Sequence, residues 1–369
     1  WTTKAGFLVK DLFNRNSKLG LLPAAMLTVF DTFMNGRACL SCRKREYPIV
    51  RACAALILLN LYRRHREACL LGYAKEHLTW LAENSCKGFH GHCWGLGWRY
   101  PVGRGLVYDE NAPYSTVTPY ALEAFLRYSA LSGDDCFNGL IEGIFWFFEE
   151  DIQVLEETDE HLVTSYGAMR DRIAYNAISY SMYSYALLLE YIPKERVERT
   201  LAKIRKMYSY IRDHQAKDGS WLYSPEGTSF IDCFHSCFIL KNTSKTNSIV
   251  SLPRSEEVIR KGYDYLKSHL YDVRTGLFRR FSVRNKPGII RYDLYDNAEM
   301  LNLAILLGDG PLIASLADSI ERCFCAGSDI YSQIDVLGLK RCKNTLRWAV
   351  MPYLYALSEL ALTDMEQSQ

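Results

Sequence analysis

Apolar residues recur along this chain at the helical spacing i, i+3, i+4, i+7, and they do so in two alternating kinds of segment. One kind is apolar almost all round and rich in small residues. The other carries a distinct charged face. IVRACAALILLNLYRR (49–64) is followed by EACLLGYAKEHLTWLAE (67–83), and TPYALEAFLRYSALSG (118–133) by CFNGLIEGIFWFFEEDI (136–152). AYNAISYSMYSYALLLEY (174–191) precedes ERVERTLAKIRKMYSYIRDHQ (195–215), and IDCFHSCFILKN (231–242) precedes SEEVIRKGYDYLKSHLY (255–271). A fifth pair joins DLYDNAEMLNLAILLGD (293–309) to GPLIASLADSIERCF (310–324). TLRWAVMPYLYALSELAL (345–362) is a sixth apolar segment, and LGLLPAAMLTVFDTF (19–33) is expected to supply its partner.

Six such pairs have a longer period than tetratricopeptide, ankyrin or HEAT units, which argues against an open solenoid. A closed ring fits better. Inner helices of a ring are buried on nearly all sides and read apolar all round, whereas outer helices keep a solvated face. The pattern therefore predicts an all-α chain, an (α/α)6 toroid forming one domain over 1–369 with its repeat core at about 47–362. Turns pairing glycine with an aromatic residue (Gly95 to Trp98, Gly219 to Trp221, Gly276 to Phe278) are expected to follow outer helices, with short strand pairs allowed around 94–108 and 220–230.

Composition narrows the classes. The 369 residues are 49% hydrophobic and 23% charged, ordinary for a folded globular chain, and 44 basic against 42 acidic residues leave a net charge of +2. No global field recruits nucleic acid or an anionic membrane, so an anionic ligand would have to be held locally. The longest apolar runs fall short of the ~18 residues of a membrane span. Twelve cysteines lie largely in apolar helical segments, as small core residues do, and are expected to be reduced thiols. That points to a cytoplasmic protein, with a leader removed ahead of Trp1 left open. Cys86, His90, His92 and Cys93 resemble metal ligands but lack a second pair at zinc-finger spacing, so no metal or cofactor is expected.

In a ring of hairpins all inner helices run the same way, so the residues that begin them meet on one rim. Those residues are Tyr114, Ser115 and Thr118, Tyr175 and Asn176, Asp232 and His235, Tyr292, Tyr295, Asp296 and Asn297, and Arg347 and Trp348. Helix capping accounts for part of the set, since Asp232 or Asp296 suits an N-cap. The whole set also suits a sugar, whose apolar face stacks on aromatic rings and whose hydroxyls need short donors and acceptors. Trp94, Trp98, Trp221 and Tyr223 add aromatic surface, and Arg99, Arg104, Arg170, Arg172, Arg291 and Arg347 lie in or beside rim loops where a guanidinium can clamp a carboxylate or phosphate.

The segments GHCWGLGWRYP, YSTVTPYALEAFLRY, DGSWLYSPEGTSFIDCFHSCFILK and YDLYDNAEMLNLAILL resemble the six-hairpin toroid proteins of the glycosidase-like superfamily. More narrowly they are similar to uncharacterised bacterial and archaeal proteins associated with surface-polysaccharide gene clusters, in which a DGSW-like turn precedes a D-N-[FY]-H-T-G helix start. This chain keeps Asp232 and His235 but has Cys233 in place of the Asn and Ser236 and Cys237 in place of Thr-Gly. The resemblance implies the fold and a glycan context.

Three functions follow as expectations. The first is an enzyme acting on a glycan or glycoconjugate, with an anionic one favoured by the arginines. It would either hydrolyse with Asp232 and Asp296 as a carboxylate pair, or abstract a proton beside a uronate carboxylate with His235 or a tyrosine such as Tyr295 as base. Trp98, Arg99, Tyr114, Arg172, Asn176, Trp221, Tyr292, Asn297, Arg347 and Trp348 would bind the substrate. The second is a glycan-binding or scaffold protein of polysaccharide assembly. The third, an isoprenoid-type toroid, needs an acidic cluster that the lone Asp134-Asp135 pair supplies poorly. Oligomeric state is not legible in the sequence.

Overall fold

The computed structural model describes residues 3–30, 45–103, 106–226, 229–286 and 288–366. After an N-terminal pair, α1 (Lys4–Arg15) and α2 (Ser17–Phe30), come α3 (Pro48–His65), α4 (Ala68–Glu83), α5 (Thr118–Ser132) and α6 (Asn138–Trp146). They are followed by α7 (Tyr175–Leu188), α8 (Lys194–Asp213), α9 (Cys233–Asn247), α10 (Ser255–His269), α11 (Leu294–Leu307), α12 (Gly310–Phe324) and α13 (Met351–Glu366). Helices α3, α5, α7, α9, α11 and α13 each pack on the next, and α13 returns onto α3, closing the ring. Helices α4, α6, α8, α10 and α12 pack outside it, each against the inner helix that precedes it. This is the (α/α) toroid that the alternation of apolar and amphipathic segments predicts.

Short strands occupy the rim. β1 (Tyr100–Gly103) pairs with β2 (Leu106–Tyr108), and β3 (Val154–Glu157) with β4 (Leu162–Thr164). β5 (Ile231–Asp232), which leads into α9, pairs with β8 (Phe281–Val283), and β6 (Tyr271–Asp272) with β7 (Leu277–Phe278). β9 (Ile290–Asp293), which leads into α11, pairs with β11 (Asp329–Asp335), which also takes β10 (Cys325–Ala326) and β12 (Lys340–Lys343). Strand pairing thus fixes the points at which α9 and α11 begin.

The glycine-aromatic turns have a mechanical reason. Trp94 and Trp221 donate their indole N–H groups to the carbonyls of Leu81 and Ile211, at 2.9 and 2.8 Å. Each satisfies an acceptor in the last turn of an outer helix while its ring fills the core. Gly219 has φ +94° and lies so close to the Lys261 carbonyl that a Cβ would sit 2.2 Å from its oxygen. No side chain fits there.

The inner helices are less apolar than their sequences suggest. All six contribute to a polar network across the ring. Glu123 accepts from Arg127 at 2.6 Å and from Lys245 at 3.0 Å, and Arg127 also reaches Glu359 and the Tyr355 hydroxyl. Asn60 joins Glu359, Lys241 pairs with Glu299, and the Tyr120 and Tyr180 hydroxyls lie 2.9 Å apart. Three cations, Arg127, Lys241 and Lys245, face three carboxylates, Glu123, Glu299 and Glu359. Burial alone would raise the Glu123 carboxyl, but Lys245 and Arg127 outweigh it and hold it at about 2.

The N-terminal pair stands apart. Residues 19–30 of the segment expected to partner the sixth apolar helix are helical, within α2, and residues 31–33 lie outside the described residues. α2 packs on α1, where Gly20 meets Phe13, and α1 packs on β1 at the rim.

Candidate functional site

The first turn of α9 is the centre of the rim. Asp232 ends β5 in an extended conformation and caps α9, its side chain accepting from the His235 backbone N–H. The same carboxylate holds the imidazole, with His235 Nδ1 at 2.9 Å from Oδ1 and 2.8 Å from Oδ2. A carboxylate only accepts, so Nδ1 carries the hydrogen and a neutral ring keeps its lone pair on Nε2. Nε2 has no partner among the described residues. Tyr223 and Phe234 pack on the ring at centroid distances of 4.6 and 3.9 Å. Asn176, Trp221, Tyr223, Asp232, His235 and Ser236 line a cavity of about 10 Å³, and the Asn176 Oδ1 is buried without a protein partner.

Asp296 stands behind this turn. It is 0% exposed, and its Oδ1 accepts from the Phe234 N–H at 3.0 Å while Oδ2 is unpartnered. Burial pushes its carboxyl well above the usual range; Arg280 opposes this, and the charges of Asp293 and Asp232 add to it. Asp296 therefore helps cap the neighbouring helix, and Asp293 caps α11, accepting from Tyr295 N–H. Arg280 and Gln333 hold Asp293 at 2.6 and 3.0 Å.

Arg347 and Trp348 lie in a widened, kinked turn, Leu346–Val350, that opens α13, with Trp348 outside helical geometry at φ −116° and ψ 23°. Such turns are rare and re-aim side chains. The Arg347 guanidinium lies 3.2 Å from the Trp348 ring centroid and 3.6 Å from that of Trp98. Arg347 is 8% exposed and has no ion pair or hydrogen bond to any described residue. Burial pulls it down to about 9, against the Tyr47, Tyr295, Tyr100 and Tyr114 side chains, which favour its charge. Tyr295 packs on the first turn of α9, its ring 5.0 Å from Phe234, and burial, Glu299 and Cys53 raise its hydroxyl well above the usual range. Lys10 lies 3.8 Å from the Tyr100 ring centroid; burial would raise the Tyr100 hydroxyl, but Lys10, Arg172 and Arg347 bring it below its usual value.

The remaining candidates divide by what their side chains touch. Arg172 belongs to the chamber, donating to the Tyr223 hydroxyl at 3.0 Å and to Asp171 at 2.8 Å, over the ring of Tyr166. Tyr114 stacks on Tyr108, and its hydroxyl is buried and unpartnered. Asn297 spends its amide on the backbone of Phe278 and the Asp293 carbonyl, and Tyr292 donates to Asp272. Trp221 commits its N–H to Ile211 while its ring borders the small cavity. Arg99 is exposed over Phe7 beside Asp109, Arg170 holds the carbonyls of Val154 and Leu155, and Arg291 pairs with Asp272. Arg104 lies outside the described residues. Asp134 pairs with Lys75 beyond the end of α5, and His90 pairs with Asp151. Lys10, Tyr100, Arg280 and Asp293 are rim residues that sequence reading passed over; of these, only Asp293, just ahead of a helix start, carried a local signal.

The fold, a six-hairpin (α/α) toroid, is similar to that of several solved structures. The cellobiose 2-epimerase of Bacillus thermoamylovorans is similar over 94% of this chain and 99% of its own, with a TM-score of 0.65 and 10% identity. The GH76 alpha-mannanase of Bacteroides thetaiotaomicron is similar over 97% and 99%, with a TM-score of 0.62 and 8% identity. A polysaccharide lyase is similar over 99% of both chains, with a TM-score of 0.59 and 11% identity. No protein-family model and no curated protein matches the sequence. No helix among the described residues is long and apolar enough to cross a membrane.

Proposed function

We propose that this protein is a carbohydrate-active enzyme that takes an acidic sugar and abstracts the proton on the carbon next to its carboxylate. The observation that carries this reading is Arg347, a buried guanidinium with no carboxylate partner among the described residues, at the start of the sixth inner helix on the rim that also carries the Asp232–His235 pair. Two indole faces offset part of the cost of burying this cation, but they leave its N–H donors without an acceptor. A substrate carboxylate at the open edge of the guanidinium would accept from them and be held by a planar fork. The toroid neighbours, which include an epimerase and a lyase, support a sugar as the ligand.

His235 Nε2 takes the proton, oriented by Asp232. The electron pair left on carbon moves into the carboxylate, and Arg347 stabilises the resulting enediolate. Tyr295, whose hydroxyl burial keeps protonated, donates from the chamber side. Returning a proton to carbon gives epimerisation; expelling the β-oxygen and protonating it gives elimination. Hydrolysis is less well supported, because Asp296 has no exposed surface and its Oδ1 is engaged by a backbone N–H.

The test is incubation with uronate-containing oligosaccharides in deuterated water. Deuterium at the carbon beside the carboxylate, or an unsaturated product, is expected from the parent and not from His235→Ala. Release of reducing ends without exchange would make the protein a hydrolase. Binding with neither outcome would make it a glycan-binding protein.

A further inference from the structure

We propose that helix α1 is a lid over the chamber and that its Lys10 reads the negative charge of the substrate as the lid seats; the second half rests on the acidic-sugar reading. Around the ring, the β1–β2 hairpin lies between α3 and α5, and the β8–β9 connection lies between α9 and α11, three positions away. α1 touches both. Asn14 Nδ2 donates to the Pro101 carbonyl at 3.0 Å and Arg99 covers Phe7 on one side, while Lys286 reaches over Phe13 from the other. The helix therefore spans the mouth.

Its attachment is light. Only Gly6 of α1 is buried, and no ion pair joins the helix to the ring among the described residues; its one pair, Arg15 with Asp11, is internal. The cavity beside His235 measures about 10 Å³, far below the ~300 Å³ at which ligand pockets begin. A sugar enters only if the rim opens, and α1, which crosses the rim through Asn14, Phe7 and Phe13, is held there by no ion pair to the ring among the described residues.

Lys10 links the lid to the ligand. Its ammonium lies 3.8 Å from the Tyr100 ring centroid and, like the Arg347 guanidinium, acts on the Tyr100 hydroxyl. Neither cation has a carboxylate partner among the described residues. Seating the helix sets Lys10 on Tyr100, two residues along the chain from the Trp98 that Arg347 covers. Two like charges then share this edge of the rim, which opposes closure, and an anion bound there reverses the sign. A neutral sugar offers no such gain, and a ligand shifts this equilibrium only by its differential affinity for the closed state.

The experiment measures carbethoxylation of His235 by diethyl pyrocarbonate in the full chain, by peptide mass spectrometry. Lys10→Glu sets a carboxylate opposite Arg347 and latches the lid, so His235 is expected to react about tenfold more slowly than in the parent. Asn14→Ala and Phe7→Ala loosen the helix and are expected to speed the reaction. Unchanged rates in all three overturn the lid. In a second arm, D-glucuronate protects His235 in the parent but not in Lys10→Ala, and D-glucose protects in neither. If the three lid variants respond but glucuronate does not protect the parent, the lid stands and the acidic-sugar reading, with the role of Lys10, falls. Equal protection of the parent and Lys10→Ala removes Lys10 alone.

Discussion

One carboxylate, Asp232, does two jobs for His235: it caps the helix through the residue's backbone N–H and fixes the tautomer through its ring. Cap and site are therefore separable by substitution. Asp232→Asn keeps an N-cap and is expected to unfold within about 1 kcal/mol of the parent, whereas Asp232→Ala loses the cap and costs ~1–2 kcal/mol. His235→Ala is expected to lower turnover by on the order of 10²–10⁴ with little change in stability. Denaturant titrations beside deuterium-exchange rates check both.

Arg347→Met is expected to raise stability and abolish use of acidic sugars together. Removing an uncompensated buried charge from a site that an apolar side chain can fill stabilises by ~1–4 kcal/mol. Thermal melts with and without D-glucuronate read both halves. A variant that melts lower would mean the guanidinium is paired.

Asp296→Asn separates the proton-abstraction reading from hydrolysis. The amide oxygen still accepts from Phe234, and the ionisable group is gone. Because the folded carboxyl lies above its unfolded value, its contribution is fully present below an unfolded value of about 3.9 and is lost as pH rises through the folded one. The variant should therefore gain on the parent as pH rises from acid to neutral, with proton exchange retained. Loss of exchange would bring Asp296 into the chemistry.

Glu123→Gln is expected to destabilise by about 3 kcal/mol, since Lys245 and part of Arg127 lose their counter-charge inside the ring. Glu123 has the opposite sign from Asp296. Held at about 2, it stabilises the fold above its unfolded value near 4.3, and that contribution fades as pH falls through about 2. Acid titration of parent and variant should converge at low pH.

The ring was legible because burial on all sides and burial on one side leave different sequence patterns, and α3 to α12 keep them. The Asp232–His235 start was legible because a cap and its first turn are local. Lys241, Glu299, Glu123 and Arg127 were not, since beyond the i, i+4 contact of Glu123 with Arg127 their partners lie on other inner helices, and a period of 3.6 does not say that a central axis can be polar. The isolation of Arg347 is likewise a tertiary fact, set by a kinked turn that no local residue pattern announces. α1 was missed altogether: its apolar positions serve the rim rather than the core.

The paired charges across the ring make the chamber a blind alley. With the interior filled by Glu123, Arg127, Lys245 and Glu359 and by the Tyr120–Tyr180 pair, a polymer cannot thread through the toroid. Any sugar must enter and leave by the rim, and with α1 seated across it a chain end fits more readily than a mid-chain segment, so on the proposed reading a long chain should be worked from its end. Shortening of end-labelled oligosaccharides, without internal cuts, is the pattern expected of elimination in such a dead-end site.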